Sequence, residues 1–204
     1  MKNLKLLFVF GSLICLLAAC EKPQDIITED NLTELNISAK KSNQMELPFK
    51  AKLFTGQAED ALTEICSFTS PTDFWGLEHQ VGGGNATHLG NFTTDMTFCF
   101  HVVLDNQGVP DFLGGFGVYE DVEGYMEAAN GDRVFFTGPG SSLVPIQDEE
   151  YMFAFEDICY INGGTGRYEN ASGEFNINSL VRIDGTGTDH NWEGTITLNN
   201  GKAK

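Results

Sequence analysis

The chain has 204 residues, with 12 Lys or Arg against 29 Asp or Glu and a formal net charge of −17. An acidic surface on that scale repels phosphate backbones and anionic headgroups, which excludes nucleic acid as a partner and electrostatics as a route to a membrane. The length suits one domain of ordinary size with a tail.

Met1-Lys2-Asn3-Leu4-Lys5 sets two lysines ahead of an uncharged run from Leu6 to Ala19. A basic start followed by a short apolar stretch is the pattern of a secretory signal. A spanning helix needs about 20 apolar residues, and this run of 14 falls short of that. It ends Leu17-Ala18-Ala19-Cys20, which resembles the lipobox of bacterial lipoproteins. The resemblance implies a signal peptide over residues 1–19, cleavage before Cys20 and a lipid on the Cys20 thiol. Taking Lys2 and Lys5 from the 12 basic residues leaves 10 against 29 acidic, a net charge of −19. The lipid is then the expected attachment itself. One acyl chain holds a protein marginally and two or more hold it stably, each buried CH₂ contributing about 0.8 kcal/mol. Glu21, rather than Asp, follows the cysteine, so the expected location is the outer membrane of a bacterial envelope, on either leaflet.

Residues 20–45 are polar and carry Pro23, several Asn and mixed charges without a sustained pattern, as a flexible tether would. From about Glu46 the texture changes, and a domain is expected over 46–204. Apolar residues recur at period two between turn residues, which predicts half-buried strands. Expected strands are Leu47–Thr55, a weaker one near Thr63–Thr69, Thr94–Leu104, Val118–Ala129, Asp132–Thr137, Glu149–Ile161, Gly173–Asp184 and His190–Leu198. On Thr94–Leu104, Met96, Phe98, Phe100 and Val102 oppose Asp95, Thr97, Cys99 and His101, which puts His101 on a solvent face. Asn130-Gly131 predicts a type I′ hairpin turn, which needs φ > 0 at both central residues. Seven to nine antiparallel strands without a substantial amphipathic helix imply an all-β sandwich or closed barrel. Period alone does not choose between them.

Five cysteines are present. Cys15 falls in the signal and Cys20 carries the lipid, leaving Cys66, Cys99 and Cys159. An odd three allows at most one disulfide, and an exported protein meets conditions that permit it. Three small apolar core residues are the other reading.

Gly163-Gly164-Thr165-Gly166-Arg167-Tyr168-Glu169-Asn170-Ala171-Ser172-Gly173, between two strands, resembles the GGTGxFxxAxG signature of the allene oxide cyclase and dirigent barrels. Ala86-Thr87-His88-Leu89-Gly90 leading to Phe92, Ala128-Ala129-Asn130-Gly131-Asp132 and Trp192-Glu193-Gly194-Thr195-Ile196 are similar to segments of bacterial members of that superfamily. The resemblance spans residues 46–198 and implies an antiparallel closed barrel of about eight strands that holds a hydrophobic molecule. Gly163, Gly164, Gly166 and Gly173 form the structural motif, since a compact connection needs φ > 0 and close backbone approach. Arg167 and Tyr168 would cover a barrel end. No Lys-Ser/Thr or long helix follows the glycines, so they do not make a phosphate site.

No residue is assigned a catalytic role and no cofactor or metal is expected: GxSxG, HExxH and Walker patterns are missing. His79, His88, His101 and His190 lack metal spacing, and Asp148-Glu149-Glu150 or Asp184 with Asp189 read as solvated charge rather than a calcium site. Polar residues on an inward barrel face need explanation. Tyr151, Phe153, Phe155, Asp157 and Ser179 are therefore the candidate lumen residues for a ligand. A desolvated Asp157 would have a raised pKa and serve as acid or base, against a purely stabilising role near a rim. The ranking is a binding module that holds a small apolar molecule or docks a partner at its rim first, an inert surface or interaction lipoprotein second, and an enzyme of the cyclase or isomerase kind, using an inward carboxylate, third.

Overall fold

The computed structural model describes residues 44–199. The expected signal peptide, the lipid-bearing Cys20 and the tether up to residue 43 lie outside these residues. Ten strands follow in chain order: β1 (Gln44–Gln57), β2 (Ile65–Ser70), β3 (Asp73–Ala86), β4 (Gly90–Val103), β5 (Tyr119–Ala128), β6 (Arg133–Gly138), β7 (Val144–Pro145), β8 (Tyr151–Gly164), β9 (Ser172–Arg182) and β10 (Thr188–Asn199). Eight of them close into an antiparallel barrel in the ring order β1, β10, β9, β8, β6, β5, β4, β3 and back to β1. β2 adds to the outer part of β3, and β7 pairs with β8.

Period-two patterning builds the wall. On β1, Phe49, Ala51, Leu53 and Thr55 are buried while Lys50, Lys52 and Phe54 are exposed. On β9, Phe175, Ile177 and Ser179 are buried between Glu174, Asn176 and Asn178. Closure leaves no free sheet edge in the barrel ring. The seam between β1 and β3 runs from Ala51 opposite Ala86 to Gln57 opposite Gln80. Gly82 and Gly84 make this close approach possible: a Cβ on Gly82 would lie 2.8 Å from Thr55 Cα, and one on Gly84 2.6 Å from Leu53 Cα.

Sequence patterning had not singled out β3. Its apolar residues Trp75, Leu77 and Val81 fall on the outer face, the reverse of the usual arrangement. β2 and the 58–64 segment add along the edge of β3: Phe68 pairs with Phe74, and Leu62 N–H donates to Leu77 O. The disulfide Cys66–Cys99 clasps β2 to β4, leaving Cys159 as a buried free thiol.

One barrel end is packed solid. Phe175 stacks on Trp192 with ring centroids 4.9 Å apart, and Phe136 meets Trp192 edge-on at 5.5 Å. Each such pair contributes about 0.5–1.5 kcal/mol beyond area burial. Phe49, Met126, Val134 and Ile196 fill the space around them. The connections 87–89, 129–132 and 165–171 turn at this end, where Gln44 and Asn199 also lie. Tyr168, fully buried in a single 3₁₀ turn (Gly166–Tyr168), closes it, and its hydroxyl and Arg167 Nη2 each donate to His88 O at 2.7 Å. Gly166 has φ +56°, and a Cβ there would overlap the Asp132 carboxylate.

Two local expectations are corrected. At the β5–β6 hairpin only Gly131 has positive φ, +85°, and Asn130 does not. Gly131 N–H donates to Ala128 O and Ala128 N–H to Asp132 O, the arrangement of a type I turn followed by a left-handed glycine rather than a type I′ turn. Asn130 Oδ1 accepts the Asp132 N–H at 3.2 Å, which holds its backbone on the negative side. His101 does lie on the outer face of β4 but is not left to solvent. It stacks on Trp75 at 4.4 Å and meets Asp73 Oδ1 at 2.9 Å.

Candidate functional site

The opposite end of the barrel is open. Segments 58–64, 104–118, 139–150 and 183–187 surround a mouth that leads into a cavity of about 230 Å³. From β3, Glu78 and Gln80 line one wall of it. Facing it are Met96, Phe98 and Phe100 from β4, Tyr119 and Val122 from β5, Phe155 and Asp157 from β8, and Ile177 from β9. Trp192 contributes to the same wall, and its indole N–H is the buried side-chain polar atom without a partner among the described residues.

Two carboxyl groups enter this apolar space from opposite sides. Glu78 on β3 and Asp157 on β8 are four places apart in the ring of eight strands. Burial raises the pKa of both, only partly offset by hydrogen bonds. Glu78 Oε2 accepts Gln57 Nε2–H at 3.1 Å, and its Oε1 accepts Gln80 Nε2–H at 3.4 Å. Asp157 Oδ1 accepts its neighbour Ile158 N–H at 2.7 Å, and Oδ2 accepts the Tyr119 hydroxyl at 3.3 Å. Burial and the Asp157 charge together push the Tyr119 hydroxyl far above its usual range, so it stays a donor. A carboxyl raised in this way exchanges protons nearer neutrality than an exposed one, the property a general acid or base needs.

A polar chain runs from Glu78 round the inner wall. Gln80 Oε1 accepts Thr55 Oγ1–H at 2.7 Å, Thr55 Oγ1 lies 2.9 Å from His190 Nε2, and His190 Nδ1 lies 2.6 Å from Ser179 Oγ. Thr55, Ser179 and His190 are all buried. Desolvation pushes the His190 pKa down to about 3, so the ring is neutral.

No family model, curated protein or solved structure matches this chain.

Of the residues singled out from sequence, Phe155 and Asp157 line the cavity. Ser179 stands behind it, bonded to His190. Tyr151 and Phe153 are not among the residues that line the cavity, whereas Met152 is; the β8–β9 pairing shifts between Tyr151 and Phe153, and Phe153 stays opposite the lining Val181. The Tyr151 hydroxyl donates to Asp189 at 3.2 Å, and Phe153 packs on Phe112 at 5.6 Å. Gly163, Gly164, Gly166 and Gly173 belong to the closed end, away from the mouth. Sequence reasoning missed Gln57, Glu78 and Gln80, and gave His190 no place in the lumen. The available signal was Gly82-Gly83-Gly84, which marks a close strand approach and would have promoted residues 73–86 to a strand.

The acidic loops hold no metal cluster: among the described residues no three His, Cys, Asp or Glu side chains gather as ligands. Asp148 Oδ1 accepts Glu150 N–H and Tyr151 N–H, Asp184 bonds Thr186, and Asp189 takes both arms of Arg182.

Proposed function

We propose that the domain is a binding module that holds one small, largely apolar molecule in its open half, carried on the outer membrane of a bacterial envelope by a lipid on Cys20. The cavity supports this most: a concave, mostly apolar space with a few convergent polar groups is the ordinary form of a small-molecule site. Leu17-Ala18-Ala19-Cys20 supports the anchor. The GGTG segment at residues 163–166 is the basis for relating the domain to the allene oxide cyclase and dirigent barrels, whose plant members hold hydrophobic molecules. Gln44, the first described residue, lies at the closed end of the barrel.

The test is native mass spectrometry of the full lipoprotein, extracted from envelopes in mild detergent. A small adduct that disappears on denaturation supports the reading. Ligand-free protein whose melting temperature no small apolar compound raises refutes it. The anchor is tested by Cys20→Ala, which should release the protein from the membrane fraction and remove fatty-acid labelling.

A second reading has its own observation. Ile65, Phe68, Val109, Leu113, Val144 and Ile183 are more than half exposed, and all lie on segments at the mouth end. Apolar residues gathered on a rim mark a docking surface, here for an envelope protein. Cross-linking from residue 113 to a discrete partner, with the lumen empty, would favour it over the first.

A further inference from the structure

The lumen presents hydrogen bonds arranged for anions but no charge to balance them. Glu78 accepts from two amide side chains and Asp157 from a backbone amide and a phenol, so all four carboxylate oxygens act as acceptors. That is the bonding pattern of an ionised carboxylate. Burial opposes the same ionised state, and a buried carboxylate is stable only when paired. No basic group of the cavity wall is free to do it. Arg182 reaches the wall but holds Asp189 with Nε at 2.8 Å and Nη2 at 3.1 Å, and its guanidinium lies over the Phe54 ring. His190, the remaining nitrogenous base there, is neutral.

Aromatic rings line the wall between the acids. The Phe98 and Tyr119 rings are 5.3 Å apart and Tyr119 and Phe155 5.5 Å apart, a continuous aromatic wall that ends at Asp157. Ring faces attract cations, more strongly when water is excluded. A volume of about 230 Å³ lies below the roughly 300–1,000 Å³ of sites for drug-sized ligands, so the occupant is of single-ring size.

We infer that the molecule held in the lumen is a small organic cation, an amine or ammonium on one apolar ring or short chain, with its charge between Glu78 and Asp157. The inference rests on reading the lumen as a ligand site and adds the charge of what enters. A neutral or anionic molecule would leave the two carboxyls either unpaired or protonated, whereas a cation balances at least one and lets both keep the bonds they already make.

Three probes of nearly equal size separate the cases: 2-phenylethylamine, 2-phenylethanol and 3-phenylpropionate, titrated calorimetrically into the full chain at neutral pH. The amine should bind at least about tenfold more tightly than the alcohol, the gain expected of a desolvated cation on aromatic faces, and the carboxylate should not bind. Asp157→Asn keeps the shape and can still bond Tyr119 and Ile158, so it tests the charge without emptying the site. It should remove most of the amine's advantage and leave alcohol binding unchanged, and Glu78→Gln should act in the same direction. An alcohol that binds as well as the amine overturns the inference while the lumen remains a ligand site. Failure of all three probes to bind removes the ligand-site reading and the inference with it.

Discussion

Ser179 Oγ sits 2.6 Å from Nδ1 of His190 inside the barrel, and the proton on that line belongs to the serine. The assignment follows from the other end of the chain. Thr55 has one hydroxyl proton, which it gives to Gln80 Oε1, so it must accept from His190 Nε2–H. A neutral imidazole that donates from Nε2 accepts at Nδ1. The pair therefore resembles a nucleophile and base in distance alone. A base of pKa about 3 abstracts no serine proton near neutrality, and Ser179 does not line the cavity. The chain instead fixes the orientation of Gln80, which bonds Glu78.

The first prediction concerns acid stability. Folded His190 has a pKa depressed from 6.5 to about 3. Its contribution is complete above the unfolded value and is lost as pH falls from about 6.5 towards 3, where the unfolded chain takes a proton the folded one refuses. The slope is about 1.4 kcal/mol per pH unit, or about 2 kcal/mol by pH 5. Glu78 and Asp157 act in the opposite sense, since their raised folded values let the folded state gain protons first on acidification. The comparison is therefore between wild type and His190→Gln, by urea unfolding at pH 7 and pH 5. The variant should lose less stability on acidification than wild type. Nitrogen NMR should show the Nε2–H tautomer unchanged down to pH 4, and titration near pH 6.5 would refute the network as drawn.

The second lies at the barrel seam. Gly84→Ala places a methyl on the backbone of β1, 2.6 Å from Leu53 Cα with no flexible side chain to yield. A loss of about 3 kcal/mol or more is expected, the range of overpacking combined with a broken backbone pairing. Gly131→Asn is the contrast. Its φ is +85°, no atom lies within 4 Å of an added Cβ, and Asn tolerates the left-handed region, so less than about 1 kcal/mol is expected. Equal melting temperatures for the two variants would contradict the closure geometry.

Thiol chemistry supplies the third. Cys66–Cys99 closes a loop of sequence separation 33, for which chain entropy predicts a contribution of about 3–4 kcal/mol. Cys66→Ser with Cys99→Ser should lower stability by about that amount and release β2 first, seen as faster amide exchange at Phe74 and Trp75. Burial raises the Cys159 thiol pKa, with the Asp157 charge adding to it. Cys159 should therefore resist thiol reagents in the native protein and react after denaturation. Rapid native labelling would mean that the lumen wall opens.

The barrel was legible where one face meets the core and the other meets water. β1, β9 and β10 satisfy that condition, so period two located them. β3 does not. Its outer face carries Trp75, stacked on His101, and Leu77, while its inner face borders a cavity and carries Glu78 and Gln80. Alternation therefore inverts, and a solvent-or-core reading loses the strand together with half the site. Phe155 and Asp157 were legible because β8 keeps ordinary parity there, whereas a shift between Tyr151 and Phe153 breaks that parity for Tyr151 and brings Met152 to the cavity. Local disruption of pairing is invisible to a periodicity argument, and bulges tend to lie beside functional openings.

The last prediction asks whether the lumen is space or slack packing. Val122 is buried on β5 and borders the cavity. Val122→Phe adds a ring where about 230 Å³ is open. In a tightly packed core the same change would cost about 1–3 kcal/mol through forced rotamers and backbone shifts. Here the added ring gains contacts with Phe98 and Tyr119 and displaces only cavity contents, so stability should change by less than about 1 kcal/mol. Binding of 2-phenylethanol, by contrast, should weaken at least about tenfold, the result of blocking rather than unfolding. Thermal unfolding and calorimetry on one sample separate the two effects. Lost stability with binding unchanged would mean that Val122 supports the wall and the ligand sits elsewhere. Preserved stability with lost binding would put the ligand between β3 and β8, where Glu78 and Asp157 face each other.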